Sequence, residues 1–143
     1  LSDRSRYLRF FSGFKELPDR FLRELVNVKF PASYAVIATI SDGTDEREIG
    51  VARYSPTEAE GIAEFAVVVA DEWHGHGIAS ELLRGVITAA TVAGINRLEG
   101  LVLKENTPML ELAKKFGFSE LAEHEEGPGM VKVFKLLREP GPD

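Results

Sequence analysis

Residues 71–83 read DEWHGHGIASELL, placing two glycines and two histidines between an apolar run and a helical pattern. A helix that opens at such a point presents unpaired N–H groups and the positive end of its dipole. Gly75 and Gly77 would let a phosphate approach the backbone closely. His74 and His76 add side-chain donors, Ile78 leads into the helix, and the small Ala79 and Ser80 keep its first turn open. The chemistry this suits is pyrophosphate binding. Two other readings stay open: a plain turn that uses glycine for positive φ, and a metal site built on the histidines with Asp71, Glu72 or His124. A dinucleotide fingerprint would need glycine where Ser80 stands, and a Walker loop would need Gly-Lys-Ser/Thr, which is absent.

A second candidate lies just upstream. Glu64 interrupts the otherwise apolar IAEFAVVVA of residues 62–70. A carboxylate within such a run is expected to be buried for a purpose, and burial tunes carboxylates toward accepting protons near neutral pH. General-base chemistry is what it offers. The competing readings are a Glu on the exposed face of its strand, or one paired with Arg53 on the neighbouring strand.

The elements that must position these residues follow from the apolar spacing. Ser2 can cap a helix over 3–11, and Pro18 suits the first turn of a second helix over 18–27. Residues 34–40, 48–54 and 62–70 read as strands separated by the turn segments SDGTDE and SPTEAEG. Apolar residues at 78, 79, 82, 83, 86, 87, 90 and 93 give helical spacing, stopped by Gly94. A strand over 97–104, a helix over 106–117 and two closing strands, 118–124 and 130–137, complete the pattern. The order α α β β β α β α β β predicts an α+β fold, also describable as mixed α/β. Its sheet is mostly antiparallel, has one βαβ crossover at 62–104 and is flanked by helices.

The 143 residues predict a single domain over 1–143, with 139–143 as a frayed tail. A chain that opens on Leu1 rather than Met is expected to be part of a longer, multidomain polypeptide. The absence of cysteine excludes disulfides and thiolate metal ligands. No apolar run approaches the roughly 18 residues of a membrane span, and no signal peptide opens the chain, so no membrane partner and a cytoplasmic location are expected. The net charge of −6 argues against nucleic acid as a partner. Acidic residues concentrate in two segments: nine Asp/Glu against two Arg over 41–72, and six Glu against two Lys over 105–126. They read as solvated faces or as a rim that attracts a cationic substrate.

The loop HGHGIA of residues 74–79 resembles the acyl-CoA signature Q/R-x-x-G-x-G/A of the GNAT acetyltransferases, with His74 at the Gln/Arg position and Gly77 and Ala79 at the small ones. ENTPMLELAKKFGF, residues 105–118, resembles that family's second motif. LSDRSRYLRFF, GVARY and AEFAVVVADEW are similar to the bacterial protein lysine acetyltransferases that modify acyl-CoA synthetases, whose catalytic domain is often fused to another domain. The resemblance implies a GNAT-like fold and acetyl-CoA as cosubstrate, with no metal. It implies transfer of an acetyl group to the ε-amine of a protein lysine, with an acyl-CoA synthetase as partner. Glu64 would be the base. The backbone of Val67, Val68 and Val69 would pair with the pantetheine arm where two strands splay apart, and an N–H near Val67 or Val68 would polarise the thioester. His74, Gly75, His76, Gly77, Ile78, Ala79 and Ser80 would hold the pyrophosphate, and Asn106 would touch the cofactor arm. The sequence departs from the family at Ala113, where many members carry a general-acid Tyr. Tyr34 and Tyr54 are substitutes that nothing in the sequence places. A small-amine acetyltransferase and a non-catalytic acyl-CoA sensor are the alternatives.

Overall fold

The computed structural model describes residues 7–9, 20–24, 30–42, 45–75, 77–121 and 129–138. In these the chain forms β1 (Tyr7–Arg9), β2 (Arg20–Glu24), β3 (Tyr34–Asp42), β4 (Asp45–Pro56), β5 (Ile62–Val69), a short 3-10 turn (Asp71–Trp73), α1 (Ile78–Ala93), β6 (Arg97–Leu103), α2 (Thr107–Lys115), β7 (Ser119–Leu121) and β8 (Met130–Leu136). The strands make one mixed sheet in the order β1-β2-β3-β4-β5-β6-β8-β7. Every pairing is antiparallel except β5 with β6, which the α1 crossover makes parallel. The expected α+β fold with one βαβ crossover is what the chain adopts.

The two opening helices are not. The spans 3–11 and 18–27 contain strands β1 and β2, and the rest of both spans lies outside the described residues. Leu8 stands opposite Leu22, and β2 pairs with β3 along its length, from Arg20↔Ile40 to Glu24↔Val36. Short apolar runs fit a helical stripe or a strand equally, and pairing to β3, otherwise an unpaired edge, outweighs weak local propensity.

α1 and α2 pack on one face of the sheet. The stripe Ile78, Leu82, Leu83, Val86 and Ala90 of α1 is buried there, each large side chain contributing roughly 1.5–3 kcal/mol. At its far end Gly94 takes φ 86°, and its N–H and that of Ile95 close on the last carbonyls, including Ala90 O at 3.0 Å from Ile95 N. Asn106 caps α2 by accepting from Met109 N at 3.3 Å. Phe65 packs on Phe118 with ring centroids 5.1 Å apart, and the Arg84 guanidinium of α1 lies 5.4 Å from the Phe116 ring. Both helices therefore cover the face that carries Tyr54, Phe65, Leu98, Val102 and Val133. Around β4 and β5 the other face is open: Arg53, Glu64, Ala66 and Val68 are all exposed.

No helix among the described residues is long and apolar enough to cross a membrane. The strand expected over 118–124 is described only as β7, and 139–143 lies outside the described residues.

Candidate active site at the parting of two strands

β4 and β5 stay paired from Pro56↔Ala63 to Gly50↔Val69. β6 and β8 likewise pair from Arg97↔Leu136 to Leu103↔Met130. Between these two halves the sheet is joined by only three rungs, Ile62↔Arg97, Ala63↔Leu98 and Glu64↔Glu99. Beyond Glu64 and Glu99 the strands part, and the remaining lengths of β5 and β6 flank a gap.

The backbone polarity of that gap follows from two hydrogen bonds. Ala70 N donates to Ile49 O at 2.8 Å, and Thr57 N donates to Ile62 O at 3.2 Å, both on the β4 side of β5. Backbone groups of a strand alternate sides, so Glu64, Ala66 and Val68 also turn theirs to β4, while Phe65, Val67 and Val69 turn theirs toward β6. The N–H that faces the gap is thus that of Val67, not Val68. Val69 O is already taken, because His74 Nε2 donates to it at 2.8 Å. That bond, with Asp71 Oδ1 3.7 Å from the same nitrogen, folds the His74 ring back onto the end of β5.

Past this turn Gly75 and Gly77 take φ values of 83° and 80°, in the left-handed region that favours glycine. Gly77 is the N-cap of α1 and makes no side-chain cap bond. The first intrahelical bond is Glu81 N to Gly77 O at 3.2 Å, so the N–H groups of Ile78, Ala79 and Ser80 precede the helical ladder. They can receive an anion without displacing a side-chain cap. His76 lies outside the described residues, as does His124. Among the described residues no three His, Asp or Glu side chains converge to hold a metal ion.

Glu64 departs from its expected burial. It sits on the open face, is exposed and makes no ion pair among the described residues. Arg53 stands opposite Ala66, while Ser55 is opposite Glu64, so the Arg53 pairing is not formed. The alternation of β5 explains this: Ala63 and Phe65 face the helices, which turns Glu64 outward. Asn106 is exposed at the start of α2, just past the end of β6, its side-chain oxygen accepting the cap bond from Met109 N. Ala113, on the inner side of α2, is buried at 1% exposure. Tyr54 is equally buried, its hydroxyl donating to Pro31 O at 2.9 Å, and its ring stacks on Tyr34 at 6.0 Å. Both tyrosines belong to the core and not to the open face.

One feature escaped the sequence. On the same face as Glu64, Glu99 lies between Arg97, whose Nε is 2.8 Å from Glu99 Oε2, and Lys132, whose Nζ is 3.4 Å from Oε1. The alternation of Arg97 and Glu99 places them on one side of β6, but only the register of β8 brings Lys132 to them.

A parallel pair that parts after three rungs, beside a helix opened by left-handed glycine, is the architecture of an acyl-CoA transferase domain. The family model of the acetyltransferase (GNAT) domain matches residues 4–119, and the chain belongs to the GNAT family. Domains of this family take acetyl-CoA as cosubstrate. Acetyltransferase PA5475 of Pseudomonas aeruginosa is 30% identical over 118 residues, covering 82% of this chain and 63% of that protein. The chain therefore spans less than two thirds of that relative. Among solved structures, the GNAT domain of S. lividans PAT superposes with a TM-score of 0.66 at 27% identity, over 78% of this chain and 64% of that one. A cAMP-binding acyltransferase from Mycobacterium smegmatis superposes with a TM-score of 0.73 over 97% of this chain and 49% of its own, with the fold in common at 19% identity.

Proposed function

We propose that the protein transfers an acetyl group from acetyl-CoA to the ε-amine of a lysine on a folded protein, with an acyl-CoA synthetase as the acceptor. The observation that carries the reading is the parting of β5 from β6 directly beyond Glu64, which sets an open carboxylate at the mouth of a gap lined by the Val67 N–H. The uncapped start of α1, with Gly75 and Gly77, suits the pyrophosphate. Val67, Val68 and Val69 flank the pantetheine arm, and Asn106 meets it from α2.

A lysine amine has an ordinary pKa of about 10.4 and arrives protonated. Glu64, directly or through a water, takes that proton, and the freed lone pair attacks the thioester carbonyl carbon. The C–N bond forms, and the Val67 N–H receives the charge that develops on the carbonyl oxygen. The C–S bond then breaks, CoA leaves as its thiolate, and the nitrogen, positively charged since the attack, passes its second proton to water or to the departing thiolate to give the neutral amide. A thiol with a pKa near 8.5 is a fair leaving group, and water can reprotonate it, which suits a chain with Ala113 at the usual position of the acid.

Among the described residues Glu64 is exposed on the open face of β5, which suits an acceptor presented on a protein surface better than a free small amine. Mass spectrometry of purified acyl-CoA synthetases after incubation with this domain and acetyl-CoA tests the reading. Acetylation of a synthetase lysine is the expected result. Turnover of spermidine or an aminoglycoside with no lysine modified on any synthetase would replace it with the small-amine reading.

A further inference from the structure

Beside the gap, the open face of β4 and β5 is a series of rungs: Ser55 opposite Glu64, Arg53 opposite Ala66, and Val51 opposite Val68. Ala66 directly precedes Val67, whose N–H faces the gap, so Arg53 stands one strand away from the expected point of acetyl transfer. Arg53 is exposed, and the exposed Ala66 beside it is too small to fill the space around its guanidinium. It makes no ion pair among the described residues, although Glu64 lies on the diagonal, where neighbours stand roughly 7–8 Å apart. Among the described side chains that β4, β5, β6 and β8 turn to this face, the other cations are Arg97 and Lys132. Both are held by Glu99, at 2.8 Å and 3.4 Å. α1, whose start suits the pyrophosphate, packs on the opposite face, so Arg53 belongs with the acceptor and not with the cofactor phosphates.

We propose that Arg53 is a specificity-determining residue that receives a carboxylate beside the acceptor lysine, so that lysines with an aspartate or glutamate next to them in the acceptor chain are selected. The inference rests on the acceptor being a protein lysine that meets Glu64 on this face. Arginine and lysine side chains have similar reach. A lysine that lowers its amine into the gap leaves its own backbone at about the height of the Arg53 guanidinium, where an adjacent acidic side chain meets it. The planar guanidinium binds a carboxylate through two parallel N–H···O bonds and stays charged at every pH at which the protein is folded, so the contact involves no titration. Val68, 63% exposed on the next rung, is covered as the acceptor docks, which removes water from beside the pair and strengthens it. The surrounding charge sharpens the choice. The chain carries a net charge of −6 and Glu64 stands one rung away, so an acidic residue of the acceptor is repelled at most other positions and received at Arg53.

The experiment compares peptides that differ only in the residues flanking their single lysine, which are aspartate, serine or arginine. The wild type should favour the aspartate peptide over the serine peptide by roughly 3- to 10-fold in kcat/KM, with the difference carried by KM. Arg53→Ala should level the two. Arg53→Lys keeps a point charge without the paired bonds and should retain only part of the preference. Arg53→Glu should reverse the order and favour the arginine peptide, a reversal that a merely structural role would not produce. Calorimetric titration with acetyl-CoA confirms that each variant is folded. A purified acyl-CoA synthetase and spermidine are assayed alongside. Equal use of the peptides by the wild type, or a preference for aspartate that Arg53→Glu retains, overturns this inference and leaves a protein lysine as the acceptor. Should only the synthetase be modified, an acidic neighbour of its acetylated lysine whose replacement by the amide slows the wild type but not Arg53→Ala supports the inference, and a lysine without such a neighbour overturns it. Turnover of spermidine alone, or of no acceptor, overturns both readings.

Discussion

The Phe65 ring lies against Gly100 at the point where β5 and β6 part: a Cβ on Gly100 would stand 2.5 Å from Phe65 Cε1 and 2.7 Å from Cζ. Each is the first residue of its strand beyond the last shared rung. The ring, backed by Phe118, occupies the space a side chain on β6 would need, so glycine there is a requirement of packing and not of backbone angle. We expect Gly100→Ala to destabilise the fold by about 1–3 kcal/mol, read as a melting midpoint several degrees lower. A variant that melts with the wild type would show that the ring yields freely.

Gly77→Asp should abolish acetyl-CoA binding. It imposes a side chain at φ 80° and sets a negative charge at the helix start where the pyrophosphate is expected. Calorimetric titration checks this, with circular dichroism to confirm that the fold persists. In the unaltered protein acetyl-CoA should raise the melting temperature, whereas NAD should leave it unchanged.

Glu64→Gln keeps the shape of the side chain and removes its capacity to accept a proton. The expected outcome is a fall in kcat of roughly 100-fold or more with little change in acetyl-CoA affinity. The defect should shrink at high pH, where the acceptor amine sheds its own proton. Steady-state kinetics at pH 7 and pH 9.5 decide it.

Tyr54 ties stability to alkaline pH. Burial raises its phenol above the ordinary value of 10.0. Above that pH the unfolded chain loses the proton while the folded chain retains it, so the folded state binds more protons and stability falls as pH rises. Tyr54→Phe lacks this loss. Below pH 10 the wild type should be more stable by about 1 kcal/mol, through the bond to Pro31 O. Urea titrations at pH 8 and pH 11 should show that advantage shrinking or reversing.

The sequence carried most of the region between residues 34 and 121, because its elements are long or sharply punctuated. α1 combines a buried stripe with Gly77 and Gly94 at its ends, and α2 has Asn106 and Pro108 at its start. The front of the chain misled, since apolar runs as short as Tyr7–Arg9 have no period of their own and take their state from a partner strand. Glu64 stood out by type, but its exposure depended on which way β5 alternates, and the apolar face at Val68 hides that: Val68 is 63% exposed in spite of its chemistry. Lys132 was illegible because strand register across a sheet leaves no mark on a single sequence.

The three-rung seam also matters for how such domains diversify. β5, the turn after it and the first turn of α1, which bear all but one of the residues expected to meet acetyl-CoA, belong to one half of the chain, while Glu99 and Lys132 belong to the other. A recombination event in the turn after Gly94 would cross few backbone pairings of the sheet. It would exchange the β6 wall of the gap, with Asn106, while the other residues expected to hold acetyl-CoA stayed in place. Chimaeras with a relative spliced at that turn should keep the affinity of the parent that supplied residues 62–80 for acetyl-CoA, and take part of their choice of amine from the parent that supplied β6 and β8.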